Sequence, residues 1–404
     1  VVLFYSFALF LFFGFRNMAE PELTFLLNPI PLLVLLFAVF FSRELSFAMT
    51  LIYSTLFSFV VPVSISHEVF FVSLLGSLLG VFSVSSQQSR RVDITKAGIL
   101  IGVGNFLLLL GGNLTHVKYL GEISFESIYL QPIYGFFNGI LCAIFALGAI
   151  PIIEVFFRIT TSTRLLELLQ PTQPLLQKLL AEAPGTYHHS MLVADLAEKA
   201  AEAIHADPLL AKAAAFYHDI GKIKRPFFFA ENQLGGVNFH DNLQPSLSSL
   251  IITSHIHDGL EIGKEYNLPK TILDIIVQHH GTDLVAFFHN KAKQAESDTN
   301  TVQEETFRYE GRKPQTKEAG IVMISDAVEA ASRTLLKPTP ASIDSLVRRI
   351  IDRKDEDGQF DECDLTKKDL ELVADRLTKS LVSMFHARIK YPDEIVEPRK
   401  VAKS

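Results

Sequence analysis

Along the first 157 residues, apolar side chains run on without a helical or alternating rhythm, and polar positions only punctuate them. Six apolar stretches stand out, at 1–15, 23–41, 46–63, 68–85, 97–112 and 128–157. A helix needs about 20 apolar residues to cross the hydrocarbon of a bilayer, and a helix of a soluble core would carry a polar stripe. The pattern predicts six membrane spans, the first of them short and the last long enough to tilt or to reach into water. Beyond Pro184 the rhythm changes. Apolar residues recur at helical spacing over 187–205, 208–219, 245–257, 269–289, 317–336, 341–354 and 366–387, which predicts amphipathic helices. His189, Val193, Leu196, Ala200 and Ala203 mark one face of the first. No alternating strand pattern of useful length appears, so the fold class is all-α: a polytopic transmembrane helix bundle at 1–157 followed by an all-helical domain over 183–395. In the connector, 158–182, Pro171 and Pro174 predict two short helices joined by a turn. The polar stretch 290–316 reads as a mobile surface loop.

Composition sharpens this division. The chain of 404 residues is 49% hydrophobic, with a mean hydropathy of +0.27. Only six of its 37 Lys and Arg and eight of its 44 Asp and Glu lie before Arg158. Lipid is implied as the solvent of the first part and water as that of the second. Basic residues in short loops favour the cytoplasmic side, which places Arg90, Arg91 and Lys96 inside, with Arg43. His67, Glu68 and the 113–127 loop fall outside, and the sixth span returns to the cytoplasm at Arg158 and Arg164. The helical domain is then cytosolic, on a multi-pass protein of the cytoplasmic (inner) membrane, and Val1 also starts inside. Asn105, Gln131, Asn138 and Glu154 are the polar residues within the spans. Isolated amides there usually bond helix to helix, so a transporter pathway has little to build on. The net charge of −7 argues against binding a nucleic-acid polymer, which needs basic clusters. Cys142 and Cys363 are the only cysteines, and no disulfide is expected.

Eleven of the thirteen histidines follow residue 187, and that asymmetry opens the question of chemistry. His218-Asp219-Ile220-Gly221-Lys222, the pair His279-His280 and the pair His188-His189 are the main features, with His255 and Asp326 each on a predicted helix. Imidazole with carboxylate suits divalent first-row metals. Near a helix end His218 and Asp219 can face one cavity from different angles, and the two oxygens of Asp219 can bridge two cations. Gly221 ends the helix, and Lys222 then projects toward whatever the metals bind. If His189 faces inward, His188 points about 100° away and supports the site from behind. His205, His257, His289 and His386 read as ordinary core or surface residues.

The longer strings carry a resemblance. Glu182-Ala-Pro-Gly-Thr-Tyr-His-His-Ser190, Tyr217-His-Asp-Ile-Gly-Lys-Ile-Lys-Arg-Pro226, Ile251-Ile-Thr-Ser-His255, Gln278-His-His-Gly-Thr282, Lys313-Pro-Gln-Thr-Lys-Glu318, Asp326-Ala-Val-Glu-Ala-Ala-Ser-Arg333 and Glu356-Asp-Gly-Gln-Phe-Asp-Glu-Cys-Asp364 together resemble the bacterial seven-transmembrane HD-domain phosphohydrolases, whose activity is hydrolysis of cyclic di-AMP to linear pApA. The resemblance covers nearly the whole chain. It implies a dinuclear site in which His189, His218, Asp219 and Asp326 hold one ion and Asp219, His255, His279 and His280 hold the other, with Mn or Fe as occupants. With ions so placed, Asp219 and Lys222 are the expected catalytic residues, Lys222 contacting substrate phosphate as a point charge. The family carries an extracellular domain and seven spans, against six here, as expected of a chain cut inside the membrane region.

Three other readings stay open. An HD phosphohydrolase can act on a different nucleotide; cyclic di-GMP is disfavoured, because no Gly-Tyr-Pro follows the His pair. A membrane receptor can bind a nucleotide through an inactive HD domain. A transporter can carry such a domain as its regulator. The sequence also leaves open a homo-oligomer and the role of the acidic segment 352–364.

Overall fold

The computed structural model describes residues 23–84, 91–120, 125–157, 159–233, 238–295, 302–335 and 338–386. Among them there are helices and turns, and pairing between extended segments is limited to one isolated bridge from Leu284 to Arg308. The chain divides into two compact units, Val1–Arg164 and Leu165–Ser404.

In the first unit, α1 (Leu23–Leu26) and α2 (Ile30–Phe40) are separated by a break at 27–29, where Pro29 lies. They are followed by α3 (Arg43–Ser58), α4 (Ser66–Ser83), α5 (Arg91–Leu120) and α6 (Phe125–Phe157). Among the described residues, four segments are long and apolar enough to cross a membrane: Leu23–Phe40, Val63–Ser83, Arg91–Thr115 and Ile128–Phe157. Two of the six expected spans are not among them. The stretch 1–15 lies outside the described residues. The stretch 46–63 forms only a 16-residue helix, α3, which rises about 24 Å and turns Ser46, Thr50 and Ser54 inward. α5 and α6 touch at glycines: a Cβ on Gly139 would lie 2.3 Å from the Gly102 nitrogen, the close approach that small residues permit between membrane helices. The amides behave in two ways. Asn138 Nδ2 donates to the carbonyls of Leu26 (2.9 Å) and Asn28 (2.8 Å), covering the α1–α2 break, and Asn113 donates to Gln131 at 3.2 Å. Asn105, fully buried against Gly76, has no hydrogen-bond partner among the described residues.

α7 (Ser162–Leu168) carries the chain into the second unit and α8 (Pro174–Glu182) follows; these are the two short helices expected on either side of Pro171. They are not a free strut, because Leu165, Leu168, Leu175, Leu176 and Leu179 pack on Tyr217, Ile220 and Ile276, and the Tyr217 hydroxyl donates to the Leu168 carbonyl at 2.7 Å. Burying each such leucine stabilises the unit by about 1.5–3 kcal/mol. Next come α9 (Pro184–Ala203) and α10 (Pro208–Tyr217); Asp207 caps α10, accepting from the amides of Leu209 and Leu210 at 3.0 Å. α11 (Pro245–Thr253), α12 (His255–Glu265), α13 (Lys270–Gln278) and α14 (Ala286–Ala295) follow, then α15 (Lys317–Ser332), α16 (Pro340–Glu356) and α17 (Lys367–His386). α15 carries Ile321 to Ile324 fully buried, against the alanine face of α9 and Ala211, Ala214 and Ala215 of α10. Two expectations are corrected. The stretch 269–289 is two helices, broken at Gly281, whose φ of +51° suits glycine. The stretch 290–316 is not a loop throughout: it contains most of α14, and Phe307 and Tyr309 are buried.

Candidate metal centre

Most of the chemically interesting side chains sit at helix ends that the core holds in place, and two lie on buried helix faces. His189 lies on the buried face of α9, and His218 and Asp219 follow the last residue of α10. The chain then enters a tight turn, Ile220–Lys224, that presses Gly221 against the first turn of α12. His255 opens α12, His279 and His280 follow α13, and Asp326 lies inside α15. All but His280 are buried.

These residues, drawn from five helices, converge as two adjoining groups. The ligand atoms of His189, His218 and Asp326 lie within 4.8 Å of one another, as do those of Asp219, His255, His279 and His280. Asp219 lies between the groups. Its Oδ2 is 3.2 Å from His218 Nε2 and 3.6 Å from His189 Nε2, while Oδ1 is 3.4 Å from His255 Nε2 and 3.8 Å from His279 Nε2. Asp326 also faces both ways, with Oδ1 3.0 Å from His189 Nε2 and Oδ2 3.7 Å from His280 Nδ1. Sequence reasoning had not anticipated that second reach.

The rings are oriented from behind. His218, His255 and His279 contact through Nδ1 the main-chain carbonyls of Ala215 (2.6 Å), Ile252 (2.6 Å) and Ile276 (2.8 Å). A carbonyl can only accept, so Nδ1 carries a proton and each Nε2 faces the cavity. His218 Nε2 and Asp219 Oδ1 are buried without a hydrogen-bond partner among the described residues. Leaving such atoms unmatched costs about 1–3 kcal/mol each. Imidazole and carboxylate atoms crowded at these distances, some of them unpartnered, fit divalent first-row metal ions.

Electrostatics divide the histidines. For His218, burial opposes the charged form, but Asp219 and Asp326 outweigh it and bring the pKa up to about 10. His189 is raised in the same way, burial being outweighed by Asp326 and Glu329. Burial, with the positive fields of His218 and His255, takes His279 down to about 3. His280 is held well below the usual histidine range by burial and by His279, and His255 is lowered mainly by burial. For Asp219 burial opposes ionisation, and His218 and Lys222 overcome it, so the carboxylate is held well below its usual range.

Lys222 does not project freely, as the sequence suggested. Its Nζ lies 2.7 Å from Asp219 Oδ2 and 2.8 Å from Glu231 Oε1, over the ring of Phe229 at 4.9 Å. Glu231 is in turn held by the Thr186 hydroxyl at 3.1 Å. His188 is exposed and packs edge-on to Tyr187, away from the cluster.

Several contributors were not singled out from the sequence. Tyr309 stacks on His280 with ring centroids 4.3 Å apart. The acidic segment 352–364 now has a role: it braces the turn after His280. Gln359 Oε1 accepts from the Thr282 amide (3.1 Å), Lys354 pairs with Asp283 (2.9 Å), and Asp357 pairs with Arg308 (2.9 Å). Arg308 also donates to the Thr282 carbonyl at 2.8 Å. Glu329 contacts His189 Nδ1; its spacing of three from Asp326 on one helix was the clue available in the sequence.

Comparison with known proteins agrees with this arrangement. The family described as 7TM receptor with intracellular HD hydrolase matches residues 1–161, and the HD domain family matches 186–331. Cyclic-di-AMP phosphodiesterase PgpH of Bacillus subtilis is 43% identical over 320 residues, 79% of this chain and 44% of that protein. The protein of the same name from Listeria monocytogenes is 45% identical over 306 residues, 76% of this chain and 42% of that one. The chain thus spans less than half the length of these relatives. The crystal structure of the L. monocytogenes PgpH HD domain in complex with cyclic-di-AMP is 50% identical, with a TM-score of 0.51, and covers 53% of this chain and 99% of its own.

Proposed function

Since the chain belongs to the family of seven-transmembrane receptors with an intracellular HD hydrolase domain, we propose that it is a membrane-anchored, metal-dependent phosphodiesterase. Its substrate on this reading is a cyclic dinucleotide, cyclic di-AMP, opened to linear pApA. The domain would act from the cytosolic side of the cytoplasmic membrane, in turnover of a second messenger. The observation that carries this reading is the position of Asp219, one oxygen toward each histidine group, in a domain 50% identical to one solved with cyclic-di-AMP.

Two divalent ions, Mn or Fe, would be held by His189, His218, Asp219 and Asp326 and by Asp219, His255, His279 and His280. When bound, such ions supply Lewis-acid polarisation of a phosphoryl oxygen and neutralise its charge. The protein's own part is orientation. The carbonyls of Ala215, Ile252 and Ile276 keep three imidazoles aimed inward. Glu231 and Asp219 hold Lys222 at the cavity, where its ammonium can meet a phosphate oxygen as a point charge. The stack of Tyr309 on His280 forms one wall.

The test is to incubate the detergent-solubilised chain with cyclic di-AMP, cyclic di-GMP and a short linear oligonucleotide, under Mn and under Fe, and to identify products. Preferential conversion of cyclic di-AMP to pApA is expected. Binding of the dinucleotide with no turnover under either metal would favour a receptor that only senses it.

A further inference from the structure

Of the four imidazoles whose Nδ1 is held from behind, three meet a main-chain carbonyl, and His189 alone meets a carboxylate, Glu329 Oε2, at 2.5 Å. The same helix supplies both sides of this clamp. Asp326 on α15 contacts His189 Nε2 at 3.0 Å, and Glu329, three residues on, takes Nδ1. Arg333, four residues further, holds Glu329 through Nε at 2.9 Å and a terminal nitrogen at 2.8 Å. That nitrogen is also 3.3 Å from His189 Nδ1. A carboxylate at 2.5 Å obliges Nδ1 to donate, so it has no lone pair left for Arg333, and the bond that matters runs from His189 to Glu329. Glu329 is 3% exposed, too buried for water to replace it.

We propose that Glu329 is a positioning residue that makes the two metal positions unequal, the one held by His189, His218 and Asp326 being the tighter. The inference rests on the dinuclear reading above and extends it. A full negative charge behind the imidazole fixes the ring and strengthens its donation to a cation more than a carbonyl dipole does, and loss of such an outer partner costs about 10- to 100-fold in metal affinity. Among the described residues the His255, His279 and His280 position has no comparable partner: its two oriented rings rest on carbonyls, and His280 rests against a tyrosine ring.

The experiment strips the detergent-solubilised chain of metal, titrates it with Mn²⁺, and reads bound manganese by elemental analysis and its state by electron paramagnetic resonance. Wild type should bind two ions that give a spin-coupled signal. Glu329→Gln keeps the shape and removes the charge; the tighter step should move about 10- to 100-fold toward higher manganese, so that the low-manganese stage at which wild type holds one ion, with the six-line signal of isolated Mn²⁺, is lost. In a His279→Ala background, where the Glu329-dependent position is the main one left, Glu329→Gln should weaken binding by the same factor. Two ions at wild-type affinity in Glu329→Gln would overturn the inference and leave the phosphodiesterase reading standing. A wild-type chain that binds neither manganese nor iron would overturn both. Should Glu329→Gln fail to fold by circular dichroism, Arg333→Met decides, because that side chain is 42% exposed and its loss leaves the core packed. With the cation that shares the Glu329 carboxylate gone, the affinity of one position only should change, and unchanged affinity there overturns the inference.

Discussion

A side-chain carbon on Gly221 would lie 1.9 Å from the carbonyl oxygen of His255 and 2.5 Å from the Gly259 nitrogen, so the turn after the His-Asp pair and the first turn of α12 approach as closely as backbone allows. Both obstacles are main chain and cannot swing aside. Gly221→Ala should therefore destabilise the domain by about 3 kcal/mol or more, the upper range for overpacking, and displace His255. Thermal melting followed at 222 nm and manganese content together check this; a variant with wild-type values of both would show that the contact is not fixed.

Asp219 faces both histidine groups, so Asp219→Ala should reduce hydrolysis by more than the roughly 10- to 100-fold that loss of an outer partner costs. His205 is the natural control, being exposed. Its φ of +56° makes alanine a poor choice, since that region favours glycine and asparagine; His205→Asn should leave turnover unchanged. Turnover of cyclic di-AMP by all three proteins at matched metal content is the measurement, and an active Asp219→Ala would dismiss the bridging role.

Asp357 should give an acid-sensitive contribution to stability. Arg308, hydrogen-bonded to it, holds its carboxyl below the usual range against a smaller effect of burial, with help from Gln359. A folded-state pKa below the unfolded value of about 3.9 stabilises the fold above that pH, and the benefit is lost as pH falls through the folded value. Asp357→Asn should then melt lower than wild type at pH 7, by about 1 kcal/mol or less because solvent still screens this partly buried pair. The gap should narrow as pH falls toward about 4 and below. A gap that stays constant with pH would assign the effect to packing.

In the membrane unit, Asn138→Leu removes the donor to the Leu26 and Asn28 carbonyls. A cost of about 0.6–2 kcal/mol is expected, read as a lower melting temperature of the solubilised chain. Asn105→Leu is the comparison. Since Asn105 has no partner among the described residues, removing its amide should cost less.

The sequence by itself determined the class of each part. Apolar runs without rhythm marked the membrane unit, helical periodicity marked the second, and seven metal-suited side chains were identifiable because their motifs are local strings of few residues. Only the tertiary structure decided what stands behind those side chains. Lys222 is paired with Glu231, nine positions away, and Glu329 reaches His189 across 140 residues. Gln359 grips Thr282 across 77, which gave the acidic segment a purpose that its composition did not reveal. Tyr309 lies in a stretch polar enough to read as loop, yet Phe307 beside it is buried and Arg308 ties it down. Periodicity reports which face of a helix is buried, but a hydrogen bond between distant helices depends on how those helices cross. Crossing is set by the packing of the whole core, a property of all the side chains together that no local window contains.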